Sequence, residues 1–196
     1  MLKSSLDAVF GRRGRAVVGP AMAAACGAVV GCTFVNRPAL AQCSPDVWRL
    51  SWSDEFSGTA LNLNNWSYEV GRWPYNEELE NYQISAVTVA NGSLDIKATR
   101  NTNYNPPYVS GRIRTQGHFM QKFGRFEVRA KLPKGRGIWP AIWTLPDNMW
   151  PPEIDIMELL GHEPNKVYFT NHWGVYPNVS NQSSSFTGPD FSADYH

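Results

Sequence analysis

The stretch Trp150-Pro151-Pro152-Glu153-Ile154-Asp155-Ile156-Met157-Glu158-Leu159-Leu160-Gly161 carries three acids and no base. Side chains of an extended strand alternate between its faces, so Glu153 and Asp155 share one face while Ile154 and Ile156 turn to the other, into a core. Strict alternation would bury Glu158, which is costly for an unpaired carboxylate. One extra residue, a β-bulge at or near Met157, returns Glu158 to the acid face. Glu153 and Glu158 then stand about 13 Å apart along the backbone. Their arms can lean inward to about 5 to 6 Å between carboxyls, the separation of a pair that opens a glycosidic bond with retention. Asp155 lies between them, where its charge raises a neighbour's pKa and its oxygens orient a neighbour. Like charges in a row repel, and folding alone gives no reason for the arrangement. On these residues alone two plainer readings stay open: the solvent face of an antiparallel strand, and oxygen ligands for a hard cation.

The rest of the chain narrows the chemistry. Its 196 residues suit one domain, and a formal net charge of +1 argues against nucleic acid or another polyanion as partner. Eight Trp, eight Tyr and nine Phe are many for this length. Aromatic rings stack on the apolar faces of sugars, so a weakly charged, aromatic-rich domain fits a polysaccharide substrate; an ordinary aromatic β core is the plainer account. Nothing in the sequence asks for more than a monomer.

Residues 1–41 read as an export signal peptide outside the fold, and 42–196 as the catalytic-type domain. Lys3, Arg12, Arg13 and Arg15 form a basic start, Ala16 to Val35 is uncharged and rich in small and aliphatic residues, and Ala39-Leu40-Ala41 supplies a small-x-small cleavage pattern. A secreted or periplasmic location follows. Val29-Val30-Gly31-Cys32 is similar to a bacterial lipobox, which gives lipid anchoring through Cys32 as the alternative; an uncleaved anchor is the further route to a membrane, weakened by Pro20 and several glycines in the apolar run. Cleavage after Ala41 leaves Cys43 alone, so the exported domain relies on its core rather than an internal disulfide.

After the signal, short alternating segments recur. Trp48–Phe56, Ala86–Ala90, Ser93–Thr99, Tyr108–Gln116, Phe123–Lys131, Ile138–Leu145, Glu153–Leu159 and Lys166–Trp173 are predicted strands, with a hairpin turn at Asn91-Gly92. Gly71 to Glu80 is a polar, aromatic-rich loop of the kind that carries function. No helix-period segment follows residue 45. The class is all-β, a sandwich.

Several blocks in order resemble glycoside hydrolase family 16, the laminarinase and lichenase group: Trp52-Ser53-Asp54-Glu55-Phe56-Ser57-Gly58, Asn76-Glu77-Glu78-Leu79-Glu80-Asn81-Tyr82, Tyr108-Val109-Ser110-Gly111-Arg112-Ile113, Phe123 to Pro133, Gly137 to Trp143, and Glu153 to Glu158. The resemblance covers about residues 46–196. It implies a curved β-sandwich jelly roll of concanavalin A type whose concave face holds a β-linked polysaccharide cut within the chain. Glu153 would be the nucleophile, Asp155 its helper and Glu158 the general acid and base. It also implies substrate contacts for Trp139 and Trp143, hydroxyl binding by Asn76 and Glu78, and a cleft position for His172. Arg112 reads equally as a hydroxyl ligand or as the partner of a structural acid. The bulged acid spacing goes with laminarinases, agarases and carrageenases; the lack of a basic cluster near the acids favours a neutral β-1,3-glucan over sulfated galactans. Mixed-linkage glucan and galactan hydrolysis, and a non-catalytic β-glucan-binding module on the same fold, are the alternatives.

No cofactor is required by this chemistry, although the family often holds a structural calcium, here through Glu55 and Gly92. Pro152 stands where the family more commonly has Gly, tolerable at a first strand residue. The end at Phe191 to His196 resembles the start of a strand that the family continues, so the sandwich reads as incomplete at the C-terminus, and the 196-residue chain alone is expected to be insoluble or inactive.

Overall fold

The computed structural model describes residues 48–196 apart from residue 74, together with the backbone of Arg15–Val18. Among the described residues there are fifteen strands and one 3-10 turn, Ile84–Ala86. In chain order the strands are β1 (Arg15–Val18), β2 (Arg49–Trp52), β3 (Ser67–Tyr68), β4 (Gly71–Arg72), β5 (Glu80–Tyr82), β6 (Val87–Ala90), β7 (Ser93–Ile96) and β8 (Thr99–Arg100). They continue as β9 (Tyr108–Ser110), β10 (Ile113–Arg114), β11 (Arg125–Glu127), β12 (Ala141–Thr144), β13 (Glu153–Leu159), β14 (Lys166–Val175) and β15 (Asn178–Thr187). The segment read as a signal lies outside the described residues except at β1, whose backbone pairs antiparallel with β2 and β11.

Two four-stranded sheets matter for the site. One runs β12-β13-β14-β15, all antiparallel, and the other β4-β5-β9-β8, with β5 and β9 parallel. Alternation builds the core where it was expected: Val87 and Val89 are buried while Thr88 and Ala90 are exposed, and the β6–β7 turn places Asn91 and Gly92 at φ 54° and 73°. Phe56, Leu61, Trp66, Val87, Val89, Leu94 and Ile113 form one buried cluster; Ala130, Leu132, Leu159, Val167 and Phe191 form a second. Ile96 and Val128 pack against both, so the apolar layer is continuous.

Several strands are shorter than the alternation predicts, for local reasons. Trp48–Phe56 stops pairing at Trp52, because the Asp54 carboxylate accepts hydrogen bonds from the Phe56 backbone N–H, the Asn65 amide and the Trp66 indole, which turns the chain. Tyr108–Gln116 breaks between β9 and β10 at Gly111. A Cβ there would sit 2.5 Å from Val87 Cγ2 and 2.9 Å from Ile96 Cγ2, so only glycine lets the chain cross the core this closely. β15 was not foreseen, since its run of Ser, Asn and Gln shows no apolar alternation; it exists because all ten residues pair with β14.

One expectation is corrected. Ile154 does not enter the core: it is 52% exposed, and across the sheet it faces Asn171 and Thr144. The apolar cluster on that side of β13 begins only at Met157 and Leu159.

The Gly111 contact gives a direct test. Gly111→Ala should overpack the core and lower stability by about 1 to 3 kcal/mol. Thermal unfolding of Gly111→Ala beside Gly111→Ala/Val87→Ala should show recovery in the double variant, and equal loss in both would sink the explanation.

Candidate functional site

β13 carries the acids, and its register shows how they come to share a face. On β14 the partners of Glu153, Asp155 and Glu158 are His172, Thr170 and Tyr168, which alternate in step and so lie on one face. Two residues lie between Asp155 and Glu158, yet only one lies between Tyr168 and Thr170, so β13 holds one extra residue. The β12 ladder agrees, with Ile142 opposite Met157 but Trp143 opposite Asp155. The bulge therefore falls at Ile156-Met157, as the spacing of the acids requires. Met157 packs on the second apolar cluster, of which Leu159 is a buried member.

The donors around the acids are specific. The Trp150 indole N–H donates to Glu153 Oε2 at 2.6 Å, and the Trp150 ring lies 6.2 Å from that of His172. Asp155 is 5% exposed, and its Oδ2 is 3.2 Å from His172 Nε2. A nitrogen that carries a proton can donate to that carboxylate whether the ring is neutral or charged. Glu153 and Glu158 are half-buried, so they stay reachable from outside. Glu153, Asp155 and His172 also present ligand atoms within 4.8 Å of one another. A nitrogen with two carboxylates suits a zinc-like ion better than the all-oxygen shell of calcium. Glu55, proposed with Gly92 for calcium, is half-buried and belongs to no such group among the described residues.

The other expected site residues divide. His172 joins the acids. Trp143 is on their face, opposite Asp155, whereas Trp139 lies half-buried just before β12. Asn76 is exposed in a left-handed turn at φ 57°. Glu78 turns inward and is 2% exposed. Arg112 takes the structural alternative: it is buried, and its Nε sits 2.8 Å from Glu69 Oε2, an ion pair off the line of an ideal hydrogen bond. Its guanidinium also lies 4.7 Å from the Trp143 ring, 5.0 Å from Trp73 and 5.8 Å from Tyr82.

Sequence reasoning missed Trp150, Glu69, Tyr82 and Glu80. Trp150 precedes the acids directly and could have been found by asking what donates to them. The Tyr82 hydroxyl is 2.8 Å from Glu78 Oε2 and 2.9 Å from Glu80 Oε1, with all three residues at most 2% exposed. One phenolic proton cannot serve two carboxylates at once. Burial accordingly pushes the Glu80 carboxyl up to about 7, helped by the charge of Glu78 and opposed by hydrogen bonds from the backbone and Tyr82.

Acids held on one open sheet face beside indole and imidazole donors are the layout of a hydrolase that works by general acid–base chemistry. Comparison with known proteins agrees. Residues 76–196 match the profile of Glycosyl hydrolases family 16, and the chain belongs to that family. It is 39% identical over 164 residues to the beta-glucanase of Rhodothermus marinus, covering 76% of this chain and 57% of that protein. It is also 39% identical over 176 residues to glucan endo-1,3-beta-glucosidase A1 of Niallia circulans, covering 75% of this chain and 26% of that one. The laminarinase catalytic domain of Thermotoga maritima superposes with a TM-score of 0.67 at 39% identity, covering 76% of this chain and 68% of that domain. The fold is thus the curved jelly roll that the resemblance implied.

The Glu80 cluster makes a prediction with a definite sign. The folded pKa of about 7 lies above the ordinary 4.5, so the native state holds a proton that the unfolded state has released between those values. Stability from this group is full below about pH 4.5, falls as pH rises through about 7, and is flat beyond, a change of order 3 kcal/mol. Asp190 and Glu163, whose pKa values are lowered by hydrogen bonds from Ser192 and Tyr168, act below this window. Denaturant unfolding from pH 4.5 to 8 should show the decline in the wild type and a much smaller one in Glu80→Gln; parallel curves would refute the raised Glu80 pKa as its source.

Proposed function

We propose that the protein is a retaining endo-hydrolase of β-1,3-glucan of the laminarin type. The observation that carries the reading is the bulge at Ile156-Met157, which keeps Glu158 on the face of Glu153 and Asp155. The named relatives support the substrate, being a beta-glucanase and an endo-1,3-beta-glucosidase, and the aromatic residues around the acids suit a neutral sugar chain.

In this mechanism the Glu153 carboxylate attacks the anomeric carbon while Glu158 gives its proton to the departing glycosidic oxygen. A covalent glycosyl ester forms on Glu153, and the C–O bond to the leaving chain breaks. Glu158, now ionised, takes a proton from water, whose oxygen displaces the Glu153 carboxylate and restores both acids. Trp150 fixes the Glu153 oxygen that is not attacking, and His172 holds Asp155 between the two glutamates. The product keeps the configuration of the substrate because the carbon is inverted twice. The leader over residues 1–41 is proposed to export the enzyme to where polysaccharide is found, with lipid anchoring at Cys32 as the other route.

Reducing-end release from laminarin, mixed-linkage glucan and agarose by the full-length protein tests this. Release should be greatest on laminarin and fall by several orders of magnitude in Glu153→Gln. Glu158→Gln should lose about 10² to 10⁴-fold on laminarin and much less on an aryl glycoside whose leaving group needs no proton. Laminarin binding without release by the wild type would make the protein a glucan-binding module instead.

A further inference from the structure

Glu153, Asp155 and His172 each offer one ligand atom, and the three atoms lie within 4.8 Å of one another. Two paired strands hold them there. Glu153 on β13 stands directly opposite His172 on β14, and Asp155 follows two residues along the same face of β13. Groups carried on strands are placed more precisely than groups carried on loops.

The spacing suits a small ion. Ligand atoms about 2.0 to 2.1 Å from a tetrahedral centre stand about 3.3 Å from one another. His172 Nε2 and Asp155 Oδ2 are 3.2 Å apart, so that edge of the tetrahedron is already set. Glu153, on a longer arm, closes the third corner by rotation of its carboxyl, a torsion with a broad and shallow profile. The Trp150 indole donates to Glu153 Oε2 at 2.6 Å, which supplies the outer hydrogen bond that ligating carboxylates ordinarily have and leaves Oε1 to face the ion. No Lys or Arg forms an ion pair with Glu153 among the described residues. Asp155, 5% exposed, makes the floor, while Glu153 and His172 are half-buried, so an ion and a water as fourth ligand have a way in. One imidazole nitrogen with two carboxylates, and no thiolate, is a donor set for a borderline divalent ion rather than for calcium or magnesium, which take oxygen.

We propose that Glu153, Asp155 and His172 bind a divalent transition-metal ion of the zinc type, and that this ion inhibits the protein reversibly by competing with the glycan. The inhibition rests on the reading of Glu153 as the nucleophile of a β-1,3-glucan hydrolase; the binding does not. On binding, the ion takes the place of the proton between His172 Nε2 and Asp155 Oδ2, and that proton leaves to water. A Glu153 oxygen bonded to the ion cannot attack the anomeric carbon, and the ion with its water fills the space a sugar ring must enter. Loss of the ion restores the free carboxylate.

The test titrates zinc chloride calorimetrically, at one fixed pH, into the full-length protein, His172→Ala, Glu153→Gln and a His118→Ala/His162→Ala control whose two histidines are exposed and outside the site. The wild type and the control should bind zinc equally. His172→Ala and Glu153→Gln should each bind it at least about ten-fold more weakly, since loss of even an outer partner of a ligand typically costs 10- to 100-fold. Zinc should raise the melting temperature of the wild type but not that of His172→Ala. In laminarin cleavage it should raise KM and leave kcat unchanged, a chelator should reverse this, and calcium at the same concentration should do neither. Zinc binding that survives both site substitutions, or that disappears in the control, overturns the site. Calcium bound as tightly as zinc reduces it to a plain acidic face and overturns it too. A lowered kcat at constant KM refutes competition with the glycan. A wild type that binds zinc through His172 and Glu153 but cleaves no glucan sinks the hydrolase reading and upholds the metal site.

Discussion

The site depends on one extra residue in β13. A strand that packs an apolar side on a core has two faces and a period of two, so acids at 153, 155 and 158 cannot all face outward while Leu159 faces inward. The bulge at Ile156-Met157 meets both demands. Before it, Glu153 and Asp155 set the open face; after it, Glu158 rejoins them and Leu159, fully buried, closes against Val167 and Phe191. β12 and β14 follow the same shift, which fixes Trp143 beside Asp155 and His172 beside Glu153. Removing the extra residue would force a choice between the core and the third acid.

Around this strand, the polar side chains that do not face outward are locked to one another. Arg112 is held by Glu69 and by the rings of Trp73, Tyr82 and Trp143. Tyr82 is held in turn by Glu78 and Glu80. A buried charge is tolerated only when it is paired and its surroundings are arranged for it, and such an arrangement resists displacement because breaking any one contact strands the others. The loop from Gly71 to Glu80 is therefore tied to β12 through side chains, although no ladder joins the two sheets among the described residues. That tie gives the Trp143 ring a fixed position on the acid face.

What the sequence disclosed and what it hid follow from range. The bounds of β13, its bulge and the Asn91-Gly92 hairpin were legible because period, local charge and turn chemistry decide them within a few residues. Strand ends at Asp54 and Gly111 were not, since each is set by a partner elsewhere: Trp66 in one case, Val87 and Ile96 in the other. The motif Asn76-Glu77-Glu78 suggested sugar contact for Glu78, but the Tyr82 hydroxyl four residues on draws that carboxyl inward. Arg112 could be read two ways because its choice belonged to Glu69, a residue with no motif of its own. The exposed Ile154 was misread by extending the alternation of its neighbours to a part of the sheet where the core does not reach.

The two acid groups of the molecule show how surroundings sort identical side chains into different work. Glu78 and Glu80 are almost completely buried beside one phenol that reaches both, and Glu80 also accepts a hydrogen bond from the Leu79 backbone N–H. Glu153 and Asp155 each have a nitrogen donor of their own, Trp150 and His172, and Glu153 remains half open. A carboxylate with an oxygen open to the solvent can attack or transfer a proton; a carboxyl closed off in a dry wall can only hold its neighbours in place. The chemistry is thus divided by access to water rather than by residue type, and the register of β13, β5 and β9 decides which acid is left open.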